Sequence, residues 1–238
     1  MKKSVIACCM ALMALPACAR TFSFATSVPT VGDSNNPGSS VPVDAEATFR
    51  VSAGSMYVTL VNLEQNTYSV GQDISSILFT INNGSSILSL SSGNLAASSG
   101  NEVTVLSSGA VSEPVATSLT HWAAGSDSSS GPSYLTDFTG QQMPQTIIGP
   151  ATSGNYATVN GSIGGNSPHN PFIQQQASFT IKDAGILSTA TVSDVTIGFG
   201  TTSNGATSAN TAKTLPEPGS FALIGIGLLS VFFRRSKG

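Results

Sequence analysis

Apolar positions along the middle of this chain alternate with polar ones, and no stretch before the last two dozen residues sustains a period of three to four. Met56, Val58 and Leu60 alternate with Tyr57, Thr59 and Val61, which predicts a central strand with apolar groups on both faces. Ile77 to Ile81 predicts a second, closed by Asn82-Asn83-Gly84, a step whose residues tolerate the positive φ of a hairpin turn. Glu102 to Leu106, Val115 to Trp122, Tyr134 to Phe138, Thr146 to Ile148, Ala177 to Ile181 and Val195 to Phe199 continue the rhythm, with Gly198 read as a bulge or a close-approach site. Asn160 to Phe172 is too rich in Gly, Pro and Asn to be regular. The expectation is an all-β domain over residues 45–200, an antiparallel β-sandwich of roughly nine strands. It is flanked by an extended arm over 20–44 and a Ser/Thr-rich linker over 201–214 that has no apolar residue larger than Ala.

Both ends depart from this pattern. Lys2 and Lys3 precede an apolar run from Val5 to Leu15, Pro16 breaks it, and Ala17-Cys18-Ala19 has the small-x-small spacing of a signal peptidase site. Residues 1–19 are therefore read as a signal peptide helix cut after Ala19, with Ala17 and Ala19 as the site. The rival is a lipobox, Leu15-Pro16-Ala17-Cys18, in which Cys18 would be acylated. At the other end, Phe221 to Phe233 carries no charge, and Arg234, Arg235 and Lys237 follow it at once. As a helix this run covers roughly 20 Å, short of the roughly 30 Å of a bilayer core. The basic residues behind it are those of a stop-transfer segment, so a single transmembrane helix is expected over 219–233.

Pro216-Glu217-Pro218, the apolar run and Arg234-Arg235, in that order, resemble the PEP-CTERM sorting signal. The resemblance covers residues 215–238 and implies that an exosortase in the inner membrane processes the tail near the Pro-Glu-Pro. It also implies export, transient anchoring in that membrane and delivery to the cell surface or beyond. A looser resemblance, to a recurring group of PEP-CTERM proteins, rests on Ile147-Ile148-Gly149-Pro150, Asn160-Gly161-Ser162 and Pro168-His169-Asn170-Pro171-Phe172. That group implies one central domain and assigns it no site.

Charge changes the picture once the ends are set aside. The whole chain carries a formal −3. Between residues 20 and 215, four basic residues (Arg20, Arg50, Lys182 and Lys213) meet eleven carboxylates, a net charge of −7. With no basic stripe to replace phosphate counterions, nucleic acid is not an expected partner. All three cysteines, Cys8, Cys9 and Cys18, fall in the leader, so the conventionally cleaved protein has no disulfide and no thiolate.

Candidate chemistry is sparse. No G-x-S-x-G elbow and no G-x-x-x-x-G-K-[ST] loop occurs, and His121 and His169 lack a carboxylate at ligand spacing. Asp127, Asp137, Asp183 and Asp194 fit no D-x-D-x-D-G calcium loop. Trp122, Tyr134 and Tyr156 are the aromatics able to stack on sugar if exposed. No catalytic residue, cofactor or metal is assigned. The reading is an exported, non-catalytic protein of the surface or extracellular matrix, handled by signal peptidase and exosortase and associated with exopolysaccharide. The alternatives are a carbohydrate-binding module and a polysaccharide-acting hydrolase.

Overall fold

A computed structural model of the chain describes residues 19–26, 30–32, 40–129, 131–137, 143–201 and 209–215. The signal peptide helix expected over 1–19, apart from Ala19, and the helix expected over 219–233 lie outside the described residues. No helix among those described is long and apolar enough to cross a membrane.

The alternating stretches form strands for the expected reason. In β4 (Ala45–Ser52) and β5 (Ser55–Asn62) every second side chain is buried, Ala47, Phe49 and Val51 on one and Met56, Val58 and Leu60 on the other. Ser52 pairs with Ser55, which leaves a two-residue turn in which Gly54 takes a φ of 74°. β6 (Ile74–Asn83) turns at Gly84, also at φ 74°, into β7 (Ser86–Leu88). After β8 (Leu95–Val103) and β9 (Val115–Thr117) come β10 (Ala123–Ser126), β11 (Ser133–Thr136) and the two-residue β12 (Ile147–Ile148). β13 (Phe172–Lys182), β14 (Thr191–Phe199) and β15 (Ala209–Leu215) complete the set, with β1 (Arg20–Thr26), β2 (Thr30–Gly32) and β3 (Ser40–Pro42) at the front.

Two separate antiparallel sheets are not what these strands make. Thirteen of them join one continuous sheet, eleven in the order β10-β11-β6-β14-β15-β1-β4-β5-β13-β8-β9 with β7 paired to β6 and β12 to β13 and β6 off that path, and β2 and β3 form a small separate ribbon. The sheet is mixed, because β12 runs parallel to β13. β12 also pairs with β6 through Ile147 and Ile74, so β6, β14, β15, β1, β4, β5, β13 and β12 close a hydrogen-bonded ring. Phe49 of β4 meets Phe79 of β6 across its interior, ring centroids 5.1 Å apart, and Phe24 meets Phe49 edge-on at 5.7 Å. Beyond the ring, β11 and β10 extend from β6, and β8 and β9 extend from β13. Trp122 packs on Phe179 at 4.8 Å between those extensions. Each fully buried ring contributes about 1.5–3 kcal/mol relative to exposure, so this interior carries much of the fold.

Three readings of the sequence are corrected by these pairings. The extended arm expected over 20–44 begins as part of the sheet: β1 pairs with β4 from Arg20↔Val51 to Ala25↔Glu46. Ala209–Leu215 is no solvated tether, because its backbone lies between β1 and β14. The strand expected over Glu102 to Leu106 is displaced: β8 ends at Val103, and Val105 makes only an isolated bridge to Val111. Gly198 does mark an irregularity, since the β14–β6 register shifts between it and Phe199. Tyr57 is half exposed, so β5 is central in the sheet yet open on one face.

Candidate functional site

The edge made by β8 and β9 is where the regular pairing fails. Glu102 of β8 is opposite Ile173 of β13, and Gly100 is opposite Ala177. One β8 residue, Asn101, therefore faces three on β13, Gln174, Gln175 and Gln176, and Gln175 adopts a φ of 61°. Three polar glutamines cannot continue an alternation that would bury every second one, so the strand bulges and holds them at the surface. A cleft of about 420 Å³ forms there, lined by Asn101, Thr117 and the three glutamines among others.

Thr117 also lines a second cleft, of about 390 Å³, with Glu102, Thr120, His121, Gln145 and Asn170. Glu102, Asn170 and Pro171 then form a common wall with a third, of about 770 Å³, which runs along Thr104 to Ser108. The shared residues make these clefts one groove along the sheet edge. Among the described residues its walls combine hydroxyl and amide side chains with the apolar Val105, Leu106, Pro144, Pro168 and Pro171, and Glu102 is the only carboxylate lining it.

Gln145 organises the floor. It is nearly buried and takes a φ of 74°, a left-handed conformation that costs a non-glycine residue about 1 kcal/mol or more. Its side-chain Nε2 donates to Glu102 Oε2 at 3.2 Å, and its Oε1 accepts from the His121 backbone N–H at 3.2 Å. Its carbonyl accepts from Trp122 Nε1 at 2.9 Å, and its N–H donates to the Pro171 carbonyl at 2.6 Å. These four bonds hold the strained backbone in place. They also tie the loop before β12 to the residues before β10, to β8 and to the start of β13.

Asn170 does the same for the wall. Its Oδ1 accepts from Val105 N at 2.8 Å, and its Nδ2 lies within bonding distance of the carbonyls of Val105, Ile163 and Asn166. Burial pushes the His169 imidazole below its ordinary range, and a bond to the Met143 backbone partly offsets this.

The candidates from the sequence are dispersed. Trp122 and Tyr156 are buried, the latter with its hydroxyl donating to the Gly149 carbonyl at 2.5 Å, and neither offers a face to a sugar. Tyr134 is half-buried against Gly125. Asp183 is occupied by Gly185 N and Asn94 Nδ2, and Asp194 accepts from Ser193. Asp137 is fully buried, and burial pushes its carboxyl up to about 9. Among the described residues no three His, Cys, Asp or Glu side chains are placed to share a metal ion. Glu102, Gln145 and the glutamine triplet were not singled out in the sequence. The one available signal was that triplet, a polar run interrupting the alternation between Ile173 and Ala177. Ala19 sits exposed just before β1. Ala17, Pro216, Glu217, Pro218, Arg234 and Arg235 lie outside the described residues.

Comparison with known proteins bears on the tail alone. Residues 214–236 match the PEP-CTERM protein-sorting motif, as an exosortase substrate would. No curated protein and no solved structure matches the chain. The matched motif begins at Thr214, inside β15.

Proposed function

We propose that the exported domain is a non-catalytic, matrix-associated protein that holds exopolysaccharide in the groove along β8 and β9. The motif at 214–236 supports export and sorting by an exosortase, which would place the domain where such polymers lie. The observation that carries the rest is the lining of the groove. Ser, Thr, Asn and Gln side chains present both donors and acceptors, the complement of a polyhydroxy chain. A hydrolase acting on the same polymers would need two carboxylates across one cleft, and among the described residues Glu102 is the only one in this lining. With about 1 kcal/mol net per hydrogen bond and no stacked aromatic, affinity belongs in the millimolar to micromolar range, about −4 to −8 kcal/mol.

The test is co-sedimentation of the exported protein with exopolysaccharide from its own producing cells. Wild type should pellet with the polymer, and the double variant Thr117→Ala, Gln174→Ala should stay in the supernatant while keeping its unfolding temperature. Equal pelleting of the two, or none by wild type, would remove the groove from the account.

A further inference from the structure

The proposed reading leaves open which polymer the groove takes, and its charge narrows the answer. Glu102 lines the two clefts at the middle and one end of the groove, and among the described residues no Lys or Arg lines any part of it. Its carboxylate accepts from Gln145 Nε2, a neutral amide that orients one oxygen without cancelling the charge. His121 also lines the groove, and its backbone N–H donates to Gln145 Oε1. The domain around the groove is itself acidic, at −7 over residues 20–215.

Each class of polysaccharide meets this field differently. A uronate polymer brings a carboxylate per sugar into a groove that has a carboxylate of its own and, among the described residues, no Lys or Arg to receive it. A neutral polymer gains hydrogen bonds only. A polymer with free amines gains the same bonds and places an ammonium against Glu102. Bonds in which one partner is ionised are roughly twice as strong as neutral ones. We propose that the groove selects amino-sugar polysaccharide bearing free, non-acetylated amines, with Glu102 as the residue that reads the amine. This inference rests on the glycan-binding reading of the same groove.

Calorimetric titration of the exported protein at neutral pH tests it, with three probes of equal length: glucosamine oligomers, N-acetylglucosamine oligomers and galacturonate oligomers. The amine-bearing oligomer should bind about tenfold or more tighter than its acetylated counterpart, a difference of about 1.4 kcal/mol. The galacturonate oligomer should bind more weakly than either. Added salt should shrink the preference. Glu102→Gln should bring amine binding down to the acetylated level. Because Glu102 supports buried Gln145, a second variant avoids disturbing the floor. Thr104→Lys, on an exposed residue of the same wall, should abolish the amine preference and admit the uronate. Equal binding of acetylated and free-amine oligomers, or a preference that survives both variants, overturns the amine assignment and leaves glycan binding standing. If none of the three probes binds, and the cells' own polymer is not retained, the glycan reading falls and the amine assignment falls with it.

Discussion

With no exposed surface and no hydrogen-bond partner for either carboxyl oxygen, Asp137 folds as a neutral acid, its pKa pushed up to about 9 by burial. Asp73 is held well above the carboxylate range in the same way, although the Thr146 hydroxyl beside it tempers the shift. A raised carboxyl pKa has one sign for stability. Below about pH 4 both folded and unfolded chains keep the proton, and no penalty exists. As pH rises, the unfolded chain releases it and the folded chain does not, so stability falls until the folded acid ionises too. For Asp137 that window closes near pH 9. The loss per group is at most about 1.4 kcal/mol per pH unit. The thermal midpoint should therefore be higher at pH 5 than at pH 8, and Asp137→Asn should flatten the difference. A wild-type midpoint that rises across the same interval would contradict this.

Gly149 illustrates a different constraint at the same scale. A Cβ there would run into the Glu64 carbonyl and lie 2.8 Å from Thr67 Oγ1, which accepts from Gly149 N at 3.1 Å. Neither backbone can yield, so Gly149→Ala should cost about 3 kcal/mol in denaturant unfolding. Trp122→Ala should cost about 3–5 kcal/mol, because it empties the contact with Phe179 and leaves the Gln145 carbonyl without its donor. That makes Trp122 a poor probe of sugar binding: any loss of affinity in the variant would report on the floor of the groove.

Among the elements, β15 has the most consequence for its length. It separates β14 from β1, and without it both would present unpaired edges in the middle of the sheet. A chain ending at Leu215 should unfold at the temperature of the exported protein, whereas one ending at Phe199 should aggregate or lose several degrees. Comparing the two by thermal denaturation and size-exclusion chromatography decides whether β15 belongs to the folded unit. The strands legible in the sequence, among them β5, β6, β13 and β14, are those with large apolar side chains at every second position. β15 was not legible because its residues carry no such pattern, and its place comes from backbone pairing on both sides. β8 was misplaced for a related reason. Leu95–Val103 alternates weakly and mostly faces outward, while the apolar Val105 beyond it is buried without lying in a strand.

On the scale of the whole molecule, sorting and fold meet at Thr214 and Leu215, which belong both to the matched motif and to β15. Processing near Pro216-Glu217-Pro218 would leave β15 with the exported domain. Replacing all three residues with Ala should leave the tail attached, read as a heavier species in an intact-mass measurement of the membrane fraction. Identical mass and location for variant and wild type would sever the motif from the processing. After conventional leader cleavage the protein has no cysteine, so reductant should leave its thermal midpoint unchanged. A shift under reducing conditions would mean that the leader cysteines are retained.

The sequence by itself determined the β class, the strands β5, β6, β13 and β14, and the sorting tail. Each of these is local: an alternation of two, a Gly at a turn, a triplet followed by an apolar run and arginines. Only the tertiary structure decided that the strands form one closed sheet, that β1 and β15 complete it, and that Glu102, Gln145 and the Gln174–Gln176 bulge share a groove. Those facts depend on which edge pairs with which across as many as 192 positions, as in Ser23↔Leu215. Backbone hydrogen bonds are the same for every side chain, so no pattern along the chain encodes that choice. It is made by the core, where Phe24, Phe49 and Phe79 bring distant strands together and leave the polar edge of β8 and β9 facing outward.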